Sequence, residues 1–481
     1  MELSNGHLDI RTGRFSDKGE SMIGNESNIN FLTEELQRKL LEARRICWSL
    51  LKTGVCVCCN SEDLLTSKLL TGGLSNILVK VKIEKDRFCE KMLKANENLY
   101  VNGYATSEGK NNSLDNSDCS ITNLRVRFYN QNRKMFINEK REVIIQNILS
   151  ESGFLKPVIL SFSGGQVEEY IEGRTLEVED VRMRKVYLSI AKRIAHLHSI
   201  KVPSELSLNV IEEYKQGTVN TSENISIVWP TLNNWLLRAE KMVNTRANFK
   251  KIDFVKLNDL ISKVRDYLYA TCDTGLLSPN SIVISHCDLL PGNIIETCDK
   301  NHVFIDYEFS GTAERAFDLG NHFCEWAGFS CEWQHLPTDD QLREFVFEYI
   351  RNLSIVKNCN LGSILEIEPE SIQFSNSLGT NTIVNENNAN GGKLACSTDS
   401  RNPYELFINN YVSSIKAFMI ISNIYWGLWA ICKSEVNVSS TNNTCFDYKS
   451  YGYRKLSSVV SEPYFCNTLK NICPLFDFNF F

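Results

Sequence analysis

The sequence predicts an α+β protein with two lobes, the first rich in β-strands and the second mostly helical. Two segments before residue 130 alternate apolar and polar residues, over 77–83 and over 124–128, as half-buried strands do. From residue 179 onward, apolar residues instead recur at helical spacing. The chain has 481 residues, 43% of them hydrophobic, which is enough to bury a core in each lobe.

The N-terminal lobe is predicted to span residues 31–170. It follows a tail over 1–30 that is polar and rich in Ser, Gly and Asn, and that is therefore predicted to be disordered. The lobe opens with an amphipathic helix from Thr33, its expected N-cap, to about Lys52. A Gly-rich turn over 71–76 then leads into the first strand.

The rest of this lobe contains one insertion, one helix and one hairpin. The polar stretch near 101–118 is predicted to be a solvated insertion, and the helix is predicted over 139–149. Two short strands over 158–171 are expected to meet at a turn formed by Gly164 and Gly165.

The C-terminal lobe is predicted over 171–481 and begins with a helical stripe from Met183 to Leu197. A second Asn- and Ser-rich insertion is predicted over 355–403. The apolar run from Ala417 to Cys432 is shorter than the ~18 residues that a membrane span needs. It therefore predicts a buried core helix.

Composition limits the classes of partner. The net charge of -6 and the absence of a basic run argue against nucleic acid or an anionic membrane surface as the main partner. Seventeen scattered cysteines and a polar N-terminus without a signal peptide indicate a reducing, cytoplasmic compartment. The cluster Cys56, Cys58 and Cys59 lacks the spacing of a zinc site. A small-molecule substrate is expected, without stable membrane insertion; a homodimer is left open.

Three polar residues over 284–308 carry the strongest chemical signal. Asp288 and Asn293 share one loop, and Asp306 follows the next apolar run. A kinase needs a carboxylate to accept the proton of the attacking hydroxyl, and hard oxygen ligands to hold Mg²⁺ against the ATP phosphates. These residues supply that set, although an Asp-x4-Asn match alone also fits ordinary turn residues.

The segments around these residues resemble the signature blocks of the choline/ethanolamine kinase family: His286-x-Asp288-x4-Asn293, Ile305-Asp306-Tyr307-Glu308 and Phe317 to Trp326. The resemblance extends from about Gly72 to Tyr453. It implies a protein-kinase-like two-lobe fold that uses ATP and Mg²⁺, with Asp288 as the catalytic base and with Asn293 and Asp306 as metal ligands. One departure is Cys287, which stands where the family usually has Asn.

The resemblance also implies a nucleotide site. The turn Gly72-Gly73-Leu74-Ser75-Asn76 resembles the family's phosphate loop, although the same residues also fit a plain hairpin turn.

Arg127 matches the position that reaches the ATP phosphates, and Glu142 matches the residue that pairs with it. Taken alone, Arg127 also fits a solvent-facing strand residue. Glu169, Tyr170 and Ile171 resemble the hinge whose backbone binds adenine.

The acceptor site is predicted to bind a small cation with a carboxylate and aromatic faces. The residues that the resemblance implies are Glu325, Trp426, Trp429 and Tyr451. The alternatives are a core helix whose tryptophans only pack, and a surface charge at Glu325. Supporting roles behind the metal loop are implied for His286, Glu308, Asp318, Asn321 and His322.

The acceptor itself receives mixed signals. Leu289-Leu290 and Ile305 to Glu308 resemble ethanolamine kinases, whereas Cys324-Glu325-Trp326 resembles choline kinases, and Phe329-Ser330 does not match a further cage aromatic. Ethanolamine is the predicted acceptor, and choline kinase with the same mechanism is the alternative. Two alternative functions are an aminoglycoside-type phosphotransferase and a non-catalytic scaffold with a kinase fold. The intact Asp288, Asn293 and Asp306 argue against the scaffold.

Overall fold

The computed structural model describes residues 8–9, 14–15, 26–51, 65–70, 76–83, 123–130, 133–214, 225–270, 277–358, 403–436, 446–474, 477 and 479–481. The chain divides into two compact units, Met1–Phe128 and Tyr129–Phe481. This division falls before the predicted lobe boundary at 170. The lobe boundary therefore stays a prediction. The insertion near 101–118, nearly all of that over 355–403, and the cysteines at 56, 58 and 59 lie outside the described residues.

The first unit combines one long helix with short strands. Its elements are β1 (Leu8–Asp9), β2 (Arg14–Phe15), α1 (Glu26–Leu51), β3 (Leu65–Leu70), β4 (Asn76–Ile83) and β5 (Asn123–Tyr129). β3 pairs with β4 antiparallel, and β5 lies on the other side of β4. Val79 and Val81 are fully buried, so the predicted strand alternation is confirmed. α1 begins at Glu26, so Thr33 lies inside the helix and its prediction as N-cap was wrong.

The second unit opens with a helix and a hairpin. The helix α2 (Glu139–Glu151) begins at the N-cap Asn138, whose side chain accepts a hydrogen bond from the backbone of Arg141. β6 (Leu160–Phe162) and β7 (Gly165–Glu169) pair antiparallel, as predicted. Gly165 belongs to β7, and the turn depends on Gly164, whose φ of 95° favours glycine.

Most of the second unit is helical. Its further helices are α3 (Val178–Val181), α4 (Arg184–Ser199), α5 (Ser204–Tyr214), α6 (Val228–Thr245), α7 (Phe254–Ala270), α8 (Arg315–Cys324), α9 (Asp339–Val356), α10 (Pro403–Val436), α11 (Tyr448–Ser461) and α12 (Pro463–Ile472). The predicted stripe corresponds to α4. Met183 has extended backbone angles and is the N-cap of that helix rather than part of it.

Short antiparallel pairs of strands lie between α7 and α8. They are β9 (Ile282–Ser285), β10 (Ile294–Glu296), β11 (His302–Phe304) and β12 (Gly311–Glu314), and β8 (Arg174–Thr175) joins them from earlier in the chain. β10 pairs with β11 and with β8, and β12 pairs with β9. The ends of β9 and β11 hold the residues predicted to carry the chemistry.

α10 is the central core helix. It is long and apolar enough to cross a membrane, but 94% of its most apolar window is buried inside the protein. It crosses α11 so closely that a Cβ at Gly427 would lie 2.7 Å from Leu456 Cγ, and one at Gly452 would lie 2.8 Å from the carbonyl oxygen of Gly427. The prediction of a buried core helix is confirmed.

Candidate active site

The loop after β9 brings two of the predicted catalytic residues together. Asn293 lies in the 3-10 turn Pro291–Asn293, and its Nδ2 donates to the backbone oxygen of Asp288 at 2.8 Å and to Asp288 Oδ2 at 3.3 Å. The backbone nitrogen of Ile305 donates to the carbonyl oxygen of Asn293 at 2.9 Å, which places Asp306 one residue from this contact. The predicted grouping of Asp288, Asn293 and Asp306 is therefore present in the fold.

Asp288 lies in a strongly negative environment. Burial raises the pKa of its carboxyl well above the ordinary value, and the negative charges of Asp306, Glu325 and Glu308 raise it further. A cation beside Asp288 would favour the ionised form of its carboxyl group. Asp288, Asp306 and the amide of Asn293 supply oxygen atoms, the type of donor that Mg²⁺ prefers.

Asn293 is arranged to bind such a cation. Both hydrogen bonds that it makes to Asp288 use its amide nitrogen, so the amide oxygen stays available as a ligand. Within the described part of the chain, no cluster of three or more His, Cys, Asp or Glu side chains has the arrangement of a metal site made by protein alone. The donor set therefore fits an ion whose remaining ligands are phosphate oxygens and water.

Asp318 on α8 binds the backbone of the catalytic loop. Its Oδ2 accepts a hydrogen bond from the backbone nitrogen of His286 at 2.9 Å, and its Oδ1 accepts one from the backbone nitrogen of Cys287 at 2.8 Å. His198 Nε2 lies 3.0 Å from the same carboxylate. Burial opposes ionisation of Asp318, but the hydrogen bonds that it accepts, the one from His198 first, outweigh this effect and hold the pKa of Asp318 below its ordinary value.

His198, to which the sequence gives no role, contacts both Asp318 and Tyr349 in the structure. Burial lowers the pKa of His198, so the ring is neutral at neutral pH. A neutral ring that donates from Nε2 to Asp318 accepts at Nδ1, where the Tyr349 hydroxyl lies 2.8 Å away. A histidine within a helical stripe carries no sequence signal for such a contact, because its partners come from α8 and α9.

Asn321 and His322 hold the next part of the loop. Asn321 Nδ2 donates to the backbone oxygen of Cys287 at 3.0 Å, and His322 Nδ1 lies 2.9 Å from the backbone oxygen of Leu289. Asn321 Oδ1 accepts hydrogen bonds from Ser422 Oγ at 2.8 Å and from Trp426 Nε1 at 2.7 Å. Asn321 therefore connects the catalytic loop with α10.

Two further predicted residues lie under the same loop. His286 is buried, and its Nε2 lies 2.9 Å from the backbone oxygen of Ile305 while its Nδ1 accepts from the backbone nitrogen of Asp288 at 3.3 Å. Glu308 is buried in the 3-10 turn Tyr307–Phe309 that follows Asp306.

Cys287 leaves the loop geometry intact because its backbone makes the contacts. The residue has a φ of 63°, in the left-handed region. Asn adopts this region more readily than most residues, which gives a physical reason for an Asn at such a position. The Cys287 side chain is buried. The backbone nitrogen of Cys287 donates to Asp318, and its backbone oxygen accepts from Asn321.

The predicted nucleotide residues are spread over both units. Gly72, Gly73 and Ser75 lie outside the described residues, whereas Asn76 opens β4. Arg127 is buried in β5, which excludes the solvent-facing alternative.

Glu142 on α2 is buried and forms an ion pair with Arg133, a residue that sequence reasoning missed. The predicted pairing of Glu142 with Arg127 stays a prediction. Glu169 ends β7 with an ion pair to Lys156, 2.7 Å between Oε1 and Nζ, and Ile171 follows two residues later.

The predicted acceptor residues belong to a series of aromatic rings. Trp426 and Trp429 lie 5.2 Å apart between ring centroids, and the Tyr448 ring lies 5.6 Å from Trp429. Phe446 is 4.8 Å from Tyr448 and 5.3 Å from Tyr451. The series connects α10 with α11 without a break.

Phe329 also belongs to this series. Its ring lies 5.9 Å from that of Tyr451 and 5.4 Å from that of Phe446. The sequence indicated no further aromatic match at Phe329-Ser330, but the fold brings this ring, 40% exposed, against a predicted acceptor residue.

Glu325 is not a surface charge. It is 5% exposed and lies at the C-terminal end of α8, where its Oε1 is 3.0 Å from Nζ of the fully buried Lys455. Sequence reasoning missed Lys455. Its i, i+4 spacing from Tyr451, which places both residues on one face of α11, was a signal that the sequence analysis did not use.

The chain is similar to proteins of one family over most of its length. The family model described as choline/ethanolamine kinase matches residues 67–460. A probable ethanolamine kinase of Arabidopsis thaliana is 26% identical over 406 residues, which cover 83% of this chain and 80% of that protein. A probable choline kinase of the same plant is 23% identical over 347 residues, 69% of this chain and 78% of that one.

A solved structure supports the fold. The ethanolamine kinase of Plasmodium vivax superposes with a TM-score of 0.58 at 24% identity, and the match covers 85% of each chain. At this identity, the comparison shows the two-lobe kinase-like fold that the sequence predicted.

Proposed function

Because the chain belongs to the choline/ethanolamine kinase family, we propose that it transfers the γ-phosphoryl group of ATP to the hydroxyl of ethanolamine. The observation that carries the proposal is the arrangement of Asp288 and Asn293 on a loop whose backbone is bound by α8, with Asp306 following the adjacent strand β11. The product is the phosphorylated amino alcohol, a precursor for phospholipid head groups. The proposal also places the protein in the cytoplasm, the compartment that the scattered cysteines indicate.

In the proposed reaction, the acceptor's hydroxyl oxygen forms a bond to the γ-phosphorus of ATP. The bond between that phosphorus and the β,γ-bridging oxygen breaks, and ADP leaves. Asp288 accepts the proton of the hydroxyl. The surrounding carboxylates raise the pKa of Asp288, which makes it a stronger proton acceptor than a solvated carboxylate.

Asn293 and Asp306 are the residues that would hold Mg²⁺. The ion would neutralise charge on the transferred phosphoryl group. Asp318, Asn321 and His322 fix the backbone of the loop that bears Asp288, which keeps this base in position without reorganisation during the reaction.

The proposed nucleotide contacts are those that the family resemblance implies. Gly72, Gly73 and Asn76 would bind phosphates, as would Arg127. Backbone groups near Glu169 and Ile171 would bind adenine.

The proposed acceptor contacts are Glu325, Trp426, Trp429 and Tyr451. Ethanolamine's ammonium group has three N–H donors and gains from a carboxylate acceptor such as Glu325. Choline is the second candidate, because its quaternary ammonium favours aromatic faces and Phe329 extends the aromatic series at Tyr451.

The test is ATP consumption by purified protein with Mg²⁺ over concentration series of ethanolamine, its N-methyl and N,N-dimethyl derivatives, choline and an aminoglycoside. We expect the highest kcat/KM with ethanolamine and a decline with each added methyl group. The highest kcat/KM with choline would instead identify choline as the acceptor, bound by the aromatic rings. Turnover of the aminoglycoside alone, or of no acceptor, would contradict the proposal.

A further inference from the structure

Glu325 and Lys455 form a buried ion pair within the proposed acceptor region. Nζ of Lys455 lies 3.0 Å from Oε1 of Glu325, and the lysine side chain is completely buried. The Glu325 side chain retains 7% exposure. Lys455 therefore lies behind Glu325, and the carboxylate is the member of the pair that still reaches a ligand or solvent.

Lys455 also lies beside Tyr451, another proposed acceptor residue. Its Nζ is 5.6 Å from the centroid of the Tyr451 ring, one helical turn away on α11. Burial lowers the pKa of Lys455, but other effects, the negative charge of Glu325 first among them, outweigh burial and hold the pKa well above the ordinary value. The ion pair with Glu325 therefore favours the charged form of the buried lysine.

Glu325 belongs to the surroundings of both Lys455 and the catalytic loop. It forms the ion pair with Lys455, and its negative charge is one of the causes that raise the pKa of Asp288, after burial and the charge of Asp306. An amino alcohol has a hydroxyl at one end and an ammonium group at the other, so a carboxylate near the proposed base suits its ammonium group.

We infer that Lys455 is a positioning residue for the acceptor: it binds one oxygen of Glu325 and thereby directs the other oxygen toward the ammonium group. The inference rests on the proposed function. A glutamate side chain that is free to rotate loses conformational entropy when a ligand binds. The ion pair has already restricted Glu325, so acceptor binding avoids that loss.

The inference predicts that Lys455 acts only through Glu325. Lys455→Met and Glu325→Gln should each raise the KM for ethanolamine about tenfold or more, the size expected for a lost charged hydrogen bond. In Lys455→Met, which keeps the carboxylate of Glu325, kcat at saturating acceptor and the KM for ATP should stay within about threefold of the wild-type values. The double variant should match Glu325→Gln alone, because no carboxylate remains for Lys455 to position.

Two variants keep the test independent of folding. Lys455→Met leaves a buried carboxylate without its counter-ion, which is destabilising, whereas the double variant removes both charges. Lys455→Arg retains the charge and should bring the KM for ethanolamine to a value between those of the wild type and Lys455→Met.

Lys416 offers a matched control. Its Nζ lies 2.5 Å from Asp339 and 5.6 Å from the Tyr464 ring, so it has the same kinds of partner, but neither belongs to the proposed acceptor residues. Lys416→Met should leave the KM for ethanolamine unchanged.

The outcomes separate the inference from the proposed function. Wild-type protein that phosphorylates no amino alcohol overturns the proposed function. With an active wild type, the inference alone is overturned if the double variant raises the KM for ethanolamine by the product of the two single effects, or if Lys455→Met raises the KM for ATP as much as that for ethanolamine. It is also overturned if folded Lys455→Met has an unchanged KM for ethanolamine, or if Lys416→Met changes that KM.

Discussion

The catalytic loop and the acceptor region hold their polar groups in different ways. In the loop, backbone groups of His286, Cys287 and Leu289 are bound by side chains of one helix, α8. In the acceptor region, one side chain holds another through the ion pair of Glu325 and Lys455. Backbone contacts tolerate a change of side chain such as Cys287, whereas a side-chain pair fails when either partner changes. In the proposed mechanism, the loop determines whether catalysis occurs, and the acceptor region determines which acceptor is bound.

The largest expected effect comes from the base itself. Asp288→Ala should lower kcat about 100- to 10,000-fold, the range for loss of a general base. Nucleotide affinity should change little, because the proposed role of Asp288 is to accept the proton of the acceptor's hydroxyl. Both are measured by steady-state kinetics and by calorimetric titration with ATP. Near-normal turnover by Asp288→Ala would show that Asp288 is not the base.

A smaller loss is expected when the loop is released from α8. Asp318→Asn replaces a carboxylate that binds two backbone nitrogens and His198, and should cost about 3 kcal/mol of unfolding free energy. kcat should fall while the KM values for ATP and acceptor change little. Urea unfolding and kinetics measure the two effects.

The exposed Asp299, changed to Asn, is the control for Asp318→Asn and should leave kcat unchanged. An unaltered kcat in Asp318→Asn would show that the loop holds its geometry without α8.

The pH dependence of stability should report on His198. Because burial lowers its pKa from 6.5, the unfolded chain binds a proton that the folded protein does not. Stability should therefore fall as the pH drops below about 6.5, by up to ~1.4 kcal/mol per pH unit for each such proton.

Asp318 acts in the same direction at lower pH. Its pKa is lowered in the folded protein, so its contribution is present above the ordinary pKa of aspartate and is lost as the pH falls through the folded value. Thermal melts between pH 7.5 and 5 should show a smaller slope for His198→Gln than for the wild type. Equal slopes would mean that His198 is protonated in the folded protein.

The smallest expected effect separates two tryptophans on α10. Trp426 Nε1 donates to Asn321, whereas Trp429 Nε1 is buried without a hydrogen-bond partner among the described residues. Trp426→Phe should cost about 1 kcal/mol more stability than Trp429→Phe, since both remove the same atoms but only the former breaks a hydrogen bond. Equal losses by urea unfolding would contradict this role of Asn321.

Sequence reasoning reached the catalytic loop because its residues are close along the chain. Asp288 and Asn293 share one loop, and the spacing alone placed them together. The contacts of Asp318 with that loop were expected only in outline, because their geometry depends on how α8 packs against β9.

The acceptor region was harder to predict. Lys455 lies 130 residues from Glu325 along the chain, and a lysine is rarely buried, so nothing local marked it as the partner. Phe329 likewise meets Tyr451 only through the tertiary fold. The start of α1 at Glu26 was missed because residues 26–32 lack an apolar period.

The most direct test of the central claim is identification of the product. Wild-type protein, Mg²⁺, ATP and ethanolamine are incubated, and the phosphorus species are followed by ³¹P NMR beside an Asp288→Asn sample. The account predicts a phosphomonoester of ethanolamine that appears in step with ADP in the wild-type sample and is nearly absent from the variant. ADP with inorganic phosphate and no phosphomonoester, or equal product in both samples, would contradict it.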